Sequence, residues 1–335
     1  MASQNSLEAP TPIDFTAIKN LTHKEAQAVD QLILDELKSE VELINKIGHY
    51  IIGNGGKRLR PMVLLLASKA LNETNEHHIT LATVIEFLHT ATLLHDDVID
   101  ESSMRRGKES ANAVWGNSAS VLVGDFLYSN AFHMMIRTRN FQVMEIVSQT
   151  TSELTEGEIL QLLNCHNPNT TEAQYLAVII RKTAILFKAA ARLAAIMSNA
   201  TEEETQGLMN YGQHLGIAFQ LIDDALDYTA SSSEDLGKNL GDDLAEGKPT
   251  LPLIYAMKQA SNENAQIIRN AIKNGSRDSF QEVYEVVKST QAIDDTLQRA
   301  DNEADKAIAA LAILKDSIYK NALVSLAKFA VQRDY

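Results

Sequence analysis

Proline stands only at positions 10, 12, 61, 168, 249 and 252, so the stretches 62–167, 169–248 and 253–335 contain none. Proline removes an amide donor and clashes inside a helix, and long gaps between prolines leave room for long helices. An all-β or turn-rich chain would need far more punctuation than 15 Gly and 6 Pro among 335 residues. No segment shows convincing β alternation, and no repeat of 20–50 residues is evident. The expected fold class is all-α: a packed bundle of ten or more helices.

Residues 1–12 are polar, hold two prolines and read as a disordered tail; residues 13–335 read as one domain. Thr22-x-x-Glu25 has capping-box form and predicts the start of the first helix. Thr201-x-x-Glu204 repeats the signal before a helix predicted to run to about Tyr228. Its core stripe is Leu208, Tyr211, Leu215, Ala218, Ile222 and Leu226. Loops are expected near 53–56, 101–108, 164–171, 229–249 and 273–276.

Thirty Lys+Arg against 44 Asp+Glu give a formal net charge of −14, which speaks against nucleic acid as a main partner. One cysteine, Cys165, excludes an intrachain disulfide framework and a cysteine-cluster metal site. The N-terminus lacks the basic and apolar regions of a secretory signal. No window has the uncharged apolar length of a membrane span. The expectation is a soluble, acidic, cytoplasmic protein.

Within the acidic excess two runs stand out: Asp96-Asp97-Val98-Ile99-Asp100 and Asp223-Asp224-Ala225-Leu226-Asp227. Each follows an apolar segment. On a helix, residues i and i+4 share a face, so Asp96 lies over Asp100 and Asp223 over Asp227. Carboxylates stacked this way repel unless a cation sits between them. Hard oxygen ligands of this type suit Mg²⁺, which also takes oxygens from substrate phosphates. One acidic run alone is as readily a solvated helix face, but two matching runs ending apolar helices are not. The first face extends back through Thr92, His89 and Ile85, the second through Gln220 and Gly216. Carboxylates at one end and small or apolar groups at the other suit a ligand with an anionic head and an apolar tail.

Cations cluster in Gly-Gly-Lys57-Arg58-Leu-Arg60-Pro61, in Arg105-Arg106-Gly107-Lys108, in Arg181-Lys182-Thr183, and at Lys238 and Lys248. The first is not a P-loop, because no Ser/Thr follows the lysine. Arg and Lys beside metal-binding carboxylates make sense if a diphosphate sits between them. Arg58 and Arg181 alone read better as surface charges.

These segments, together with Lys182-Thr183, Phe-Gln220-Leu-Ile-Asp223, Gly237-Lys238 and Gly-Lys248-Pro, resemble the trans-isoprenyl diphosphate synthase family from about Leu32 to Arg333. The resemblance is closest to its long-chain bacterial members. It implies an isoprenoid-synthase-type helical bundle around a deep central cavity, usually a homodimer. It also implies head-to-tail condensation of isopentenyl diphosphate onto an allylic diphosphate such as farnesyl diphosphate. By the same resemblance, Asp96, Asp100, Asp223 and Asp227 bind Mg²⁺, with Asp97 and Asp224 secondary. Lys57, Arg60, His89 and Arg106 hold isopentenyl diphosphate. Arg105, Lys182, Thr183, Gln220, Lys238 and Lys248 surround the allylic diphosphate and the developing cation. Asp242 and Asp243 match further family carboxylates. A terpene cyclase or head-to-head enzyme often alters the second Asp run and lacks the Gly-Gly-Lys-Arg segment. A non-catalytic subunit should show damaged Asp runs. Neither fits.

In the family, bulky residues four and five positions before the first Asp run stop chain growth early. Thr92 and Ala91 occupy those positions and are small. Thr92 shares the Asp96 face, whereas Ala91 projects about 140° away. From Asp96 back to Ala82 the helix would wall a tunnel of roughly 21 Å. Phe132, Met134, Met135 and Phe219 would supply apolar lining, and the resemblance suggests Met135 as its floor. The chain ends in Tyr335 where an Arg is common in the family.

Overall fold

The computed structural model describes residues 14–53, 56–73, 76–229 and 241–332, which are almost wholly helical. The tail, Lys238 and Tyr335 lie outside the described residues. Short helices α1 (Phe15–Leu21), α2 (His23–Glu36) and α3 (Glu42–Gly53) precede α4 (Leu59–Ala70) and α5 (Glu76–Ile99). Next come α6 (Ala111–Trp115), α7 (Asn117–Ile136), α8 (Phe141–Asn164) and α9 (Glu172–Ile179). A π-helical turn over Ile180–Ala184 leads directly into α10 (Ile185–Met197), which is followed by α11 (Glu202–Leu226). The rest is α12 (Asp242–Ala245), α13 (Leu251–Gln259), α14 (Asn262–Asn274), α15 (Phe280–Lys288), α16 (Ala292–Ala310) and α17 (Ile318–Val331).

α5 is the central helix. It is apolar or small nearly all round, as a helix enclosed by others should be. It packs against α2, α4, α7 and α10, and Leu81, Ala82, Val84, Ile85, Phe87 and Leu88 are almost fully buried. The main core joins these helices to α8, α11 and α17. A smaller cluster on α13, α14 and α15 includes Leu253, Ile268, Ile272 and Val283.

Thr201 caps α11 as predicted: its hydroxyl accepts from the Glu204 amide, and the Glu204 carboxylate accepts from the Thr201 amide. Thr22 differs. A helix does begin after it, but α1 precedes, and Thr22 makes no side-chain cap bond. Its backbone (φ −119°, ψ 15°) lacks the extended geometry that aims an N-cap hydroxyl at the first turn. The predicted 101–108 loop contains a small hairpin, Met104–Arg105 paired with Lys108–Glu109. Its two-residue turn, Arg106-Gly107, has positive φ at both positions, which matches strand twist.

α11 and α16 pack along most of their length and share a buried hydrogen bond to a carboxylate. Glu303, 2% exposed, accepts from His214 Nδ1 at 2.6 Å and Lys306 Nζ at 2.8 Å. Burial works to raise this carboxyl, but those hydrogen bonds outweigh it and hold it at about 2. A depressed folded pKa stabilises the fold above the unfolded value near 4.5, and the gain is lost as pH falls toward 2. Glu303→Gln is therefore expected to lower Tm at neutral pH by several degrees. It should also flatten the Tm profile between pH 4.5 and 2, measured by calorimetry; an unchanged profile would contradict this.

Candidate active site

The C-terminal half of α5 carries His89, Thr92 and Asp96, Asp100 follows in the turn at its end, and the end of α11 carries Gln220, Asp223 and Asp224. Between them lie two adjoining cavities of about 520 and 200 Å³ that share Asp96, Arg105, Lys182, Thr183, Gln220, Asp224 and Asp243. Lys57, Arg58, Arg60, His89, Arg106, Thr92 and Asp223 line the larger one; Asp100 and Lys248 line the smaller. Most of the residues picked out in the sequence are thus brought together. Asp227 is fully buried, and neither cavity lining includes it. Ala91 and Met135, 0% and 4% exposed, sit in the core outside both linings.

Lys182 and Thr183 are presented by the π-helical turn, a geometry that recurs at functional sites. Glycines set its depth. A Cβ on Gly157 of α8 would lie 2.8 Å from the Lys182 backbone nitrogen, and one on Gly216 of α11 would lie 2.5 Å from Ala184 Cα. Only residues without side chains let the turn seat this close to both helices.

The carboxylates hold cations. Lys182 Nζ lies 2.5 Å from Glu158 and 3.3 Å from Asp96. Lys248 Nζ lies 2.8 Å from Asp100 and also pairs with Glu246. Burial opposes the Lys248 charge, yet Asp100 and Glu246 more than offset it, so its pKa rises. Burial, reinforced by Asp96, pushes Glu158 up to about 7 against the opposing pull of Lys182. Glu158 was not foreseen; the available signal was Gly157 beside it, a helix-interior glycine that marks close packing.

The middle aspartates are engaged by the protein. Asp97, 4% exposed, accepts from Arg105 Nε at 2.8 Å. Asp224, 3% exposed, accepts from Tyr175 OH at 2.6 Å and Gln220 Nε2 at 2.8 Å. Asp97 lies outside both cavity linings, whereas Asp224 lines both with its oxygens already engaged. Tyr175 also escaped the sequence reading.

The other end of the larger cavity is basic. Arg60 Nη1 donates to His89 Nε2 at 3.1 Å, and its guanidinium sits 4.5 Å from the Phe187 ring centroid. Arg is donor-only, so His89 is neutral with its proton on Nδ1. Burial first, then Arg60 and Arg106, hold the His89 pKa well below its ordinary value. Burial brings Arg60 down to about 10, so it stays charged at neutral pH. Arg60 Nε is buried with no hydrogen-bond partner among the described residues, as expected of a donor awaiting an anion. Lys57 Nζ lies 5.3 Å from the Phe329 ring centroid. The Arg106 guanidinium packs on Gly56, where a Cβ would come within 2.9 Å.

Arg58 is not the surface charge it resembled. It pairs with buried Glu86 at 2.5 Å and with Asp30 at 3.1 Å, tying the basic segment to α5 and α2. Arg181 keeps its surface character, with one 3.9 Å ion pair to exposed Glu156.

Among the described residues no three His, Cys, Asp or Glu side chains alone form a metal cage. The donor set still fits Mg²⁺, which keeps water and phosphate oxygens in its coordination shell and needs only one or two carboxylates from each wall. Ammonium groups already rest on Asp96 and Asp100, so cationic charge is accommodated there.

A family model described as polyprenyl synthetase matches residues 41–288. The chain is 52% identical to octaprenyl diphosphate synthase of Escherichia coli (strain K12) over 96% of this chain and 100% of that one. It is 46% identical to the all-trans-nonaprenyl-diphosphate synthase (geranyl-diphosphate specific) of Rhodobacter capsulatus, covering 91% and 94%. The crystal structure of a polyprenyl synthase from Caulobacter crescentus CB15, complexed with calcium and isoprenyl diphosphate, superposes with a TM-score of 0.93. It is 41% identical, with 97% and 99% coverage.

Proposed function

This chain belongs to the polyprenyl synthetase family, and from that premise we propose that it makes octaprenyl diphosphate from isopentenyl and farnesyl diphosphates with Mg²⁺. It is a trans-prenyltransferase of the long-chain type. The observation that carries the substrate reading is the two-ended cavity: carboxylates of both Asp runs at one side, and Lys57, Arg60 and Arg106 at the other. Each end suits one diphosphate, the first through a bridging cation and the second directly.

In this reading Asp96, Asp100, Asp223 and Asp227 hold Mg²⁺, whose chemistry is to stabilise the charge that develops on the departing diphosphate. Arg105, Lys182, Lys238 and Lys248 would bind the same diphosphate, adding fixed positive charge where negative charge grows. Lys57, Arg60, His89 and Arg106 would hold isopentenyl diphosphate with its double bond toward the allylic carbon. Attack forms the new carbon–carbon bond, and the released diphosphate takes the proton, since no side chain stands out as a base. Thr183 and Gln220 face the allylic cation, and Phe219 helps exclude water from it.

Exposed apolar side chains support a homodimer: Leu122 on α7 is 67% exposed, and Ile159, Leu162 and Leu163 on α8 are 54%, 64% and 69% exposed. α7 spreads its apolar residues around the helix rather than confining them to one buried stripe, which suits a helix covered by a second copy. Among the described residues no helix is long and apolar enough to cross a membrane. Cytoplasmic location, one domain over 13–335, and use of the product as the side chain of ubiquinone or another isoprenoid quinone complete the proposal.

The test is incubation with Mg²⁺, farnesyl diphosphate and labelled isopentenyl diphosphate, with products separated by chromatography. Octaprenyl diphosphate is expected, with activity lost on chelation and restored by Mg²⁺. No incorporation, or activity that survives chelation, would overturn the reading.

A further inference from the structure

Three hydrogen bonds join four side chains in the wall of the two cavities, two of them converging on Asp224 from opposite sides. Tyr175 OH donates to Asp224 Oδ2 at 2.6 Å, Gln220 Nε2 donates to Asp224 Oδ1 at 2.8 Å, and Thr183 Oγ1 donates to Gln220 Oε1 at 2.8 Å. The chain links α9, α11 and the π-helical turn. Tyr175 is 6%, Asp224 3% and Thr183 8% exposed.

The direction of the chain is dictated by Asp224. An ionised carboxylate only accepts, so the Gln220 amide must turn its NH₂ toward it. That leaves the Gln220 carbonyl facing Thr183, whose hydroxyl proton is drawn to it. The Thr183 lone pairs are then left for the cavity. Reversing any link would aim a proton at the cavity instead. An oxygen lone pair stabilises a neighbouring carbocation, and a proton aimed at it does the opposite.

We propose that Tyr175 is a positioning residue for prenyl transfer: through Asp224 it fixes which way the Gln220 amide and the Thr183 hydroxyl point. Tyr175 lines the smaller cavity, and its hydroxyl proton is given to Asp224. It holds the second oxygen of Asp224 while Gln220 donates to the first, so the orientation of the carboxylate and that of the Gln220 amide are set together. The inference rests on the prenyltransferase reading, and on Thr183 and Gln220 facing the allylic cation.

The experiment is a double-mutant cycle on the full-length protein, assayed with Mg²⁺, farnesyl diphosphate and isopentenyl diphosphate. Tyr175→Phe is expected to lower kcat about tenfold or more while both KM values stay within about twofold. In Thr183→Val the chain has already lost its last member, so adding Tyr175→Phe should cost little more. Independent losses that multiply in the double variant would overturn the proposal, as would a Tyr175→Phe kcat within twofold of wild type. If Tyr175→Phe does not fold, Asp224→Asn decides. The isosteric amide offers one acceptor oxygen where two donors converge, so Tyr175 and Gln220 can no longer both donate to it and kcat should fall with KM held; a normal kcat overturns the proposal. Wild-type turnover in the same assay reports on the parent reading, and the variant-to-wild-type ratio reports on Tyr175.

Discussion

Asp96→Ala is expected to reduce turnover by about 10³-fold while leaving the fold intact, and Asp223→Ala should do the same. Metal-assisted stabilisation of a leaving diphosphate is worth several kcal/mol, and about 4 kcal/mol corresponds to a thousandfold in rate. Asp96 faces Lys182 across 3.3 Å and lines both cavities, so its loss removes a carboxylate from the centre of the site. The helix should not suffer. Asp96 stacks on Asp100, and removing one of two like charges four residues apart relieves repulsion. Glu158 still holds Lys182 at 2.5 Å. The measurements are steady-state kinetics over a Mg²⁺ titration, with circular dichroism as the control on folding. Turnover within tenfold of wild type in either variant would remove that aspartate from the metal site.

Thr92→Phe should change what the enzyme makes more than how fast it starts. Thr92 lies one turn below Asp96, lines the larger cavity, and points its hydroxyl back to the His89 carbonyl at 2.8 Å. A phenyl group there would block a growing chain after few additions, and the longest product by reversed-phase chromatography should drop toward geranylgeranyl length. Ala91→Phe separates two paths for the tail. Ala91 is fully buried on a different side of α5. If the tail runs along that side, the product shortens there too; otherwise the extra ring overpacks the core and lowers Tm by an amount equivalent to about 1–3 kcal/mol. Unchanged product length in both variants would place the tunnel elsewhere.

Much of this was readable because it depends on local pattern. Helical phase put Thr92, Asp96 and Asp100 on one face, and proline spacing admitted the long helices. The Thr201 box was recognisable because its partners are three residues apart. What escaped depends on residues distant in sequence or on geometry without a signature. Arg58 meets Glu86 across 28 positions, and Tyr175 meets Asp224 across 49. The two-residue strands at Met104 and Lys108 are too short to alternate. A π-helical turn looks like ordinary helix in sequence. Its traces were Gly157 and Gly216, glycines where a helix would favour almost anything else.

Those two glycines have a consequence for how such a protein can diversify. Because bare backbone, not side chains, sets the spacing around Lys182 and Thr183, there is no graded series of substitutions through which that end could drift. Any replacement displaces the turn outright. The opposite wall, built from ordinary side chains such as Thr92, can change by a methyl or a ring at a time. One end of the cavity is thereby frozen and the other left variable, and a lineage built this way would alter the length of its product far more readily than its chemistry.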